Sequence, residues 1–396
     1  MTRLAGKRIV LGVGGGIAAY KAPTLVRALR EQGALVRVVL TEGGASFVSQ
    51  LALQVVSENR VGRSLLDPAS EYEIGHIETA RWADVVLVAP ATANLIARIR
   101  AGMADDLLTT VVLATMAPLV LAPSMNTQML RASATQENLE VLRSRGAMVV
   151  IPDVGELACK EVGAGRLPDP LVLIAEVERA LTPQRLAGVK VTVSAGPTRE
   201  HFDPVRFLSN PSSGKMGYAI AAAAFAEGAD VILISGPSSL DIPPGVRRRS
   251  VTTAAEMCAA VQAAGGDVLI MAAAVADWTP GERDSEKRKK RDGDWQPTLV
   301  RTTDILREVS GSGHRPRVVI GFAAETQDVL GNAREKLASK NLDAIVANDV
   351  SVGGFGTDGN AVTLITATEE KPFGPAPKRV IGDHIIDWVA NRLEKR

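Results

Sequence analysis

Cysteine is nearly missing: the 396 residues include two, Cys159 and Cys258. Two thiols cannot build a disulfide framework, and this points to a reducing compartment. Histidine is scarce too, with four scattered copies and no cysteine cluster beside them, so no tight transition-metal site is expected. Aromatic residues make up 4%, which leaves the core to Ala, Val, Leu and Ile, with 36 glycines alongside. That mix suits parallel strands covered by helices. An excess of either charge is also lacking: 45 basic against 44 acidic side chains leave +1. Nucleic acid and anionic membrane are therefore not expected as partners. At 46% apolar and 22% charged, the composition excludes global disorder. The opening MTRLAGKRIV is not a secretory signal, and a cytoplasmic enzyme is expected. One stretch, Leu107 to Leu130, carries no charge, but Pro118 and Pro123 interrupt it and Asn126, Thr127 and Gln128 end it. A helix over Ala104–Met116 and a strand over Leu119–Ala122 fit it better than a membrane span.

What the chain does have is a pattern that occurs twice. An apolar run at Arg8–Gly12 meets a glycine cluster, then a helical segment from Ile17 to Gln32 and a second strand at Val36–Leu40. Val189–Ser194 opens the second half, with Gly196 and Pro197 next and a helix from about Met216 to Glu227. Gly228–Ser235 echoes Gly33–Leu40, and Asp267–Met271 echoes Asp84–Val88. Short apolar runs alternating with helices mean βαβ units. The expectation is α/β: two Rossmann-like domains with parallel sheets, spanning 1–186 and 187–396, the first flavodoxin-like.

In the first half, Gly14-Gly-Gly-Ile-Ala-Ala19 matches the pattern G-x-G-x-x-A between a strand and a helix. Glycine lets backbone approach a phosphate at a helix N-terminus. The carboxylate that would hold a dinucleotide ribose is not in place, since Leu40-Thr41 ends strand two and Glu42 comes one position late. A mononucleotide fits better; a tight turn without ligand and an NAD-dependent oxidoreductase are the alternatives. His76 is either a structural histidine or a functional one. Ala89-Pro-Ala-Thr-Ala-Asn94 and Ala122-Pro-Ser-Met-Asn126 each follow a strand, where open α/β sheets bind ligands. Cys159 sits in a glycine-rich loop, a poor place for an inert core thiol.

GGGIAAYK, GHIETARWAD, APATAN, AGMADDLL, APSMN and LACKEVGAGR, in this order over residues 6–170, resemble the flavin-dependent cysteine decarboxylases of the phosphopantothenoylcysteine type. The resemblance implies FMN against Gly15, Gly16, Ile17, Thr41, Thr92, Ala93, Asn94 and Ser124. It implies oxidation of the substrate thiol to a thioaldehyde and loss of the carboxylate as carbon dioxide. His76 would promote that step, Asn126 would bind the carboxylate or its amide neighbour, and Cys159 would donate a proton. Two positions depart from the family pattern. Gly14-Gly-Gly16 stands where relatives often carry Ser or Thr, and Lys160 stands where they usually carry Gly.

In the second half, Ser212-Ser-Gly-Lys215 is not a P-loop: Ser209 replaces its first glycine, and Met216 follows the lysine. Lys287-Arg-Lys-Lys-Arg291 reads as a solvated or ligand-closing loop, and Lys336 and Lys340 share a helix face. Ser194–Glu200, Asn210–Gly217, Ala272–Asp277, Gly321–Thr326 and Ala347–Ser351 together resemble the phosphopantothenate–cysteine ligases over residues 188–390. The resemblance implies an acyl-cytidylate made from CTP. Asn210 would position it, Lys287 would stabilise charge during amide formation, and Mg²⁺ would ride largely on the triphosphate. CTP would meet Ala272, Ala273, Asp277, Lys287, Thr303, Asp304, Ile305, Leu306, Phe322, Lys336 and Lys340. It also implies a homo-oligomer, trimer-based and extending to a dodecamer, with FMN near a subunit interface. The substrates would be 4'-phosphopantothenate, cysteine and CTP. The alternative is a flavin decarboxylase whose C-terminal half binds nucleotide without catalysis.

Overall fold

The computed structural model describes residues 2–65, 75–158, 160–289, 295–311, 313–349 and 357–395. Cys159, Lys290, Arg291, Val350 and Ser351 lie outside the described residues. Two compact units divide the chain, Met1–Pro183 and Gln184–Arg396.

The first unit is built on a five-stranded parallel sheet. Its strands are β1 (Arg8–Val13), β2 (Leu35–Leu40), β3 (Val85–Ala91), β4 (Leu119–Pro123) and β5 (Met148–Val149), ordered β2-β1-β3-β4-β5. β3 is buried at every position, so its sequence is an unbroken apolar run rather than an alternation. The helical segment after the glycine turn is not one helix. A 3-10 turn over Ile17–Lys21 precedes the helix Ala22–Glu31, whose first turn holds Pro23 where a missing N–H costs nothing. The helix in the uncharged stretch is shorter than expected, Leu107–Ala114. Asp106 caps it by accepting the Thr109 N–H at 2.8 Å, so the residues before that cap stay outside the helix. Among the described residues no helix is long and apolar enough to cross a membrane. A separate antiparallel hairpin follows, β6 (Asp153–Glu156) with β7 (Val162–Arg166). The helix Pro170–Ala180 then buries Leu173, Ile174 and Val177 in the core on one face of the sheet.

The second unit has an eight-stranded sheet and two ribbons that leave it. In chain order the strands are β8 (Lys190–Ala195), β9 (Arg199–His201), β10 (Phe207–Ser209), β11 (Asp230–Ser235), β12 (Arg247–Ser250) and β13 (Val268–Met271). β14 (Trp278–Pro280), β15 (Leu299–Arg301), β16 (Val318–Glu325), β17 (Ala344–Asp349), β18 (Gly359–Ile365) and β19 (Glu370–Pro377) complete the set. The sheet order is β12-β11-β8-β13-β16-β17-β18-β19, while β9–β10 and β14–β15 are antiparallel ribbons. The sheet is parallel from β12 to β17, as expected, and β18 and β19 join its edge antiparallel. Residues 366–369 are all that separates these two strands, too few for the crossover of a dozen or more residues that parallel pairing requires. In both sheets the first strand of the unit lies between its successors. β1 separates β2 from β3, and β8 separates β11 from β13. Each unit therefore has a switch point at which loops open a crevice beyond the strand ends.

Candidate active sites

At the first crevice lies a cavity of about 2220 Å³, well above the ~300–1,000 Å³ of ordinary small-molecule pockets. It has room for a cofactor and a substrate side by side. Four strand-end loops line it: Gly14–Ile17 after β1, Thr41–Gly43 after β2, Thr92–Asn94 after β3 and Ser124–Asn126 after β4. The residues named from sequence for FMN (Gly15, Gly16, Ile17, Thr41, Thr92, Ala93, Asn94 and Ser124) all face it. A Cβ on Gly14 would lie 2.5 Å from the Pro90 carbonyl oxygen, and one on Gly15 would lie 2.7 Å from the Gly43 Cα. The loop is therefore wedged between its neighbours and offers bare backbone, a cradle suited to a phosphate. Thr41 and Thr92 set where two of the loops turn into helix, accepting the N–H of Gly44 at 3.0 Å and of Leu95 at 3.3 Å. On the wall, Arg98 pairs with Asp105 and Asp106 and holds the Asp105 carboxyl below the usual carboxylate range. If the flavin implied by the sequence resemblance rests on this backbone, Gly15→Ala should weaken it by roughly 5- to 150-fold, the equivalent of ~1–3 kcal/mol of overpacking. The flavin-to-protein ratio measured by absorbance checks this, and a parental ratio would contradict it.

Asn126 caps the helix after β4, its Oδ1 accepting the Gln128 N–H at 2.8 Å. Its Nδ2 donates to Glu161 Oε2 at 2.9 Å, which ties it to the segment between β6 and β7. A second tie runs from the Met125 N–H to the Gly165 carbonyl at 3.0 Å. Leu157 and Ala158, the residues before Cys159, line the cavity. Lys160 has φ of +63°, in the left-handed region. Glycine occupies that region freely, and a lysine there costs ~1–2 kcal/mol. His76 stands apart from these groups. It begins the helix His76–Trp82, is half-buried and does not line the cavity of its own chain. Its Nδ1 is buried with no hydrogen-bond partner among the described residues.

In the second unit the candidates gather beyond β8, β13 and β16. The loop after β13 holds Ala272, Ala273 and Asp277, and the Ser194 hydroxyl at the end of β8 accepts the Ala273 N–H at 3.1 Å. Asn210 donates to the carbonyls of Ala274 and Val275 at 3.3 and 3.1 Å. Thr302 donates its N–H to the Asp277 carbonyl at 3.0 Å and its hydroxyl to the Ala276 carbonyl at 2.7 Å. These bonds bring Thr303, Asp304, Ile305 and Leu306 to the same loop. Asp304 caps the helix Ile305–Ser310 and pairs with Lys340 at 3.1 Å. Lys336 pairs with Glu325 at 2.5 Å, at the end of the strand that carries half-buried Phe322. Lys287 is exposed, in the excursion between β14 and β15. Sequence reading missed Glu161 as the partner of Asn126. It also missed the β14–β15 ribbon, whose three-residue strands lack a buried alternation that could mark them.

Residues 1–182 match the family model described as Flavoprotein, and residues 186–393 match the one described as DNA/pantothenate metabolism flavoprotein C-terminal domain. The chain is 50% identical over 402 residues to the Coenzyme A biosynthesis bifunctional protein CoaBC of Escherichia coli (strain K12), covering 99% of each chain. It is 51% identical over 399 residues to the protein of that name from Vibrio cholerae, covering 99% of this chain and 100% of the relative. With the Bacillus subtilis protein the identity is 47% over 369 residues and 91% of each chain. Family matches in both halves, together with near-full-length relatives at about half identity, show that the chain belongs to the family of bifunctional coenzyme A biosynthesis proteins.

Proposed function

We propose that the second unit joins 4'-phosphopantothenate to cysteine at the expense of CTP, and that the first unit decarboxylates the resulting 4'-phosphopantothenoylcysteine. The observation that carries this reading is the cavity at the first crevice, faced by bare glycine backbone and by Asn94 and Asn126. FMN bound there supplies a two-electron acceptor and donor. Gly15, Gly16 and Ile17 offer backbone to its phosphate, while Thr41, Thr92, Ala93, Asn94 and Ser124 form the surrounding wall. Asn126, steadied by Glu161, binds the substrate carboxylate or the adjoining amide. His76 promotes the loss of carbon dioxide, and Cys159 delivers a proton to the product. We place the cavity near a subunit interface of a trimer-based homo-oligomer, so that His76 of one copy serves the cavity of the next.

In the second unit, the substrate carboxylate attacks the α-phosphorus of CTP, forming an acyl-cytidylate and releasing pyrophosphate. The amine of cysteine then attacks the acyl carbon, and CMP leaves. Asn210 positions the acyl-cytidylate, and Asp277 reads the nucleotide beside Ala272, Ala273 and Thr303–Leu306. Phe322, Lys336 and Lys340 hold base and phosphates, and Lys287 stabilises charge in the second step. Among the described residues no group of three or more His, Cys, Asp and Glu is placed to hold a metal. We assign Mg²⁺ to the CTP triphosphate, whose charge it would offset during activation.

A visible spectrum of the pure protein tests the first unit. Bound flavin should absorb in the blue, whereas a colourless protein that needs added NAD would replace this reading with an NAD-dependent oxidoreductase. Pyrophosphate release from CTP and phosphopantothenate tests the second, and its absence would leave only a nucleotide-binding module. Cys159→Ser should still release carbon dioxide while accumulating the oxidised enethiol product. A normal yield of reduced product would remove this cysteine from the mechanism.

A further inference from the structure

Asp203 is the one buried carboxylate in the turn between β9 and β10, at 0% exposure. Its Oδ1 accepts the N–H groups of Val205 and Arg206, both at 2.8 Å. Its Oδ2 accepts Arg206 Nε at 3.0 Å and, from a segment 85 residues further along the chain, the Arg288 N–H at 3.3 Å. Arg206 also donates to the Arg288 carbonyl. Both backbone polar groups of Arg288 are thus held by the β9–β10 turn. Nearby, the Phe202 carbonyl accepts the Asp284 N–H at 2.8 Å. Trp295 packs edge-on against Phe202, and the guanidinium groups of Arg288 and Arg206 lie over its ring at 5.0 and 5.4 Å. Lys287 lies between the two fastened positions, Asp284 and Arg288. This start of the basic run is therefore a built loop, whereas a solvated face would need none of these ties. Burial pushes the Asp203 carboxyl up, but its backbone donors and Arg206 outweigh that and hold it at about 2, so it is ionised in any ordinary assay.

We propose that Asp203 is a positioning residue for amide formation: its carboxylate fixes the backbone next to Lys287, so that the lysine is held in place for the second step of ligation. This inference rests on the role of Lys287 given above. Asp203 touches neither nucleotide nor acid in this account, and its contribution passes through Arg288.

The test is a comparison of Asp203→Asn, Lys287→Gln and the double variant in the full-length enzyme. Asp203→Asn should release pyrophosphate at the parental rate with unchanged KM for CTP, yet form the amide about tenfold or more slowly, as expected when a reacting group is misplaced by about 1 Å. The double variant should be no slower than Lys287→Gln alone, because the aspartate acts through the lysine. Trypsin should cut after Lys287–Lys289 about tenfold faster in Asp203→Asn, since a charged hydrogen bond closing the loop is gone. If Lys287→Gln slows amide formation and Asp203→Asn does not, or if the two losses multiply, the positioning role is wrong. A parental amide rate in Lys287→Gln would overturn the role of the lysine, and with it this inference. Should Asp203→Asn fail to fold, Asp203→Ser, which keeps one oxygen for the turn's own N–H groups but lacks the Oδ2 that accepts the Arg288 N–H, takes its place. Slow amide formation with intact pyrophosphate release would support the proposal, and a parental amide rate would overturn it.

Discussion

His76→Asn should cost the enzyme about 10²–10⁴-fold in decarboxylation, the usual worth of a positioned acid–base group, while flavin content and pyrophosphate release stay at parental levels. Asparagine keeps a polar side chain at the start of the helix His76–Trp82 but cannot take up or deliver a proton. The expectation of retained flavin follows from the geometry, because the glycine backbone and strand-end loops assigned to the cofactor do not include His76. Retained ligation follows from its place in the first compact unit, remote in sequence from every group assigned to the second. Carbon dioxide release, flavin absorbance and pyrophosphate release measured on one preparation separate the cases. A variant that loses flavin together with decarboxylation would make His76 a structural residue.

Lys287→Gln should still release pyrophosphate from CTP and phosphopantothenate, yet form the cysteine amide roughly 10²–10³-fold more slowly, by analogy with the loss of one oxyanion-type donor. The acyl-cytidylate should then accumulate and be visible after a rapid acid quench. An exposed lysine on a solvated face would tolerate the change with little effect. The fastening of Asp284 and Arg288 on either side of Lys287 favours this lysine over its neighbours in the run. If Lys289→Gln or Lys290→Gln gives the slow-amide phenotype and Lys287→Gln does not, the role stands and its residue changes. Three variants with parental amide rates would reduce the run to a solvated face.

These two residues also show where sequence reading succeeds and where it stops. Arg8–Val13, Val85–Ala91 and Lys190–Ala195 are central strands buried along nearly their whole length. Such strands announce themselves as apolar runs. The glycines at 14 and 15 are legible because a loop wedged against Pro90 and Gly43 leaves no space for a side chain there. The antiparallel edge was not legible, since β18 and β19 read like further strands and only the shortness of residues 366–369 reverses their direction. The bond from Asn126 to Glu161 spans 35 residues, and the one from Asp203 to Arg288 spans 85. Local periodicity carries no information about pairs so far apart. Asp203 shows the same limit: an aspartate before a proline reads as an ordinary turn residue until its partners appear. Lys160 departs from the family pattern in sequence, and its φ of +63° tells why glycine would suit that position.

The central claim is that one chain carries out two consecutive steps, and product analysis tests it most directly. The purified protein, with no other enzyme present, is incubated with 4'-phosphopantothenate, cysteine, CTP and Mg²⁺, and the mixture is resolved by mass. The account predicts 4'-phosphopantetheine, with pyrophosphate, CMP and carbon dioxide formed in equal amounts. Accumulation of 4'-phosphopantothenoylcysteine with no carbon dioxide, or no consumption of CTP at all, would contradict it.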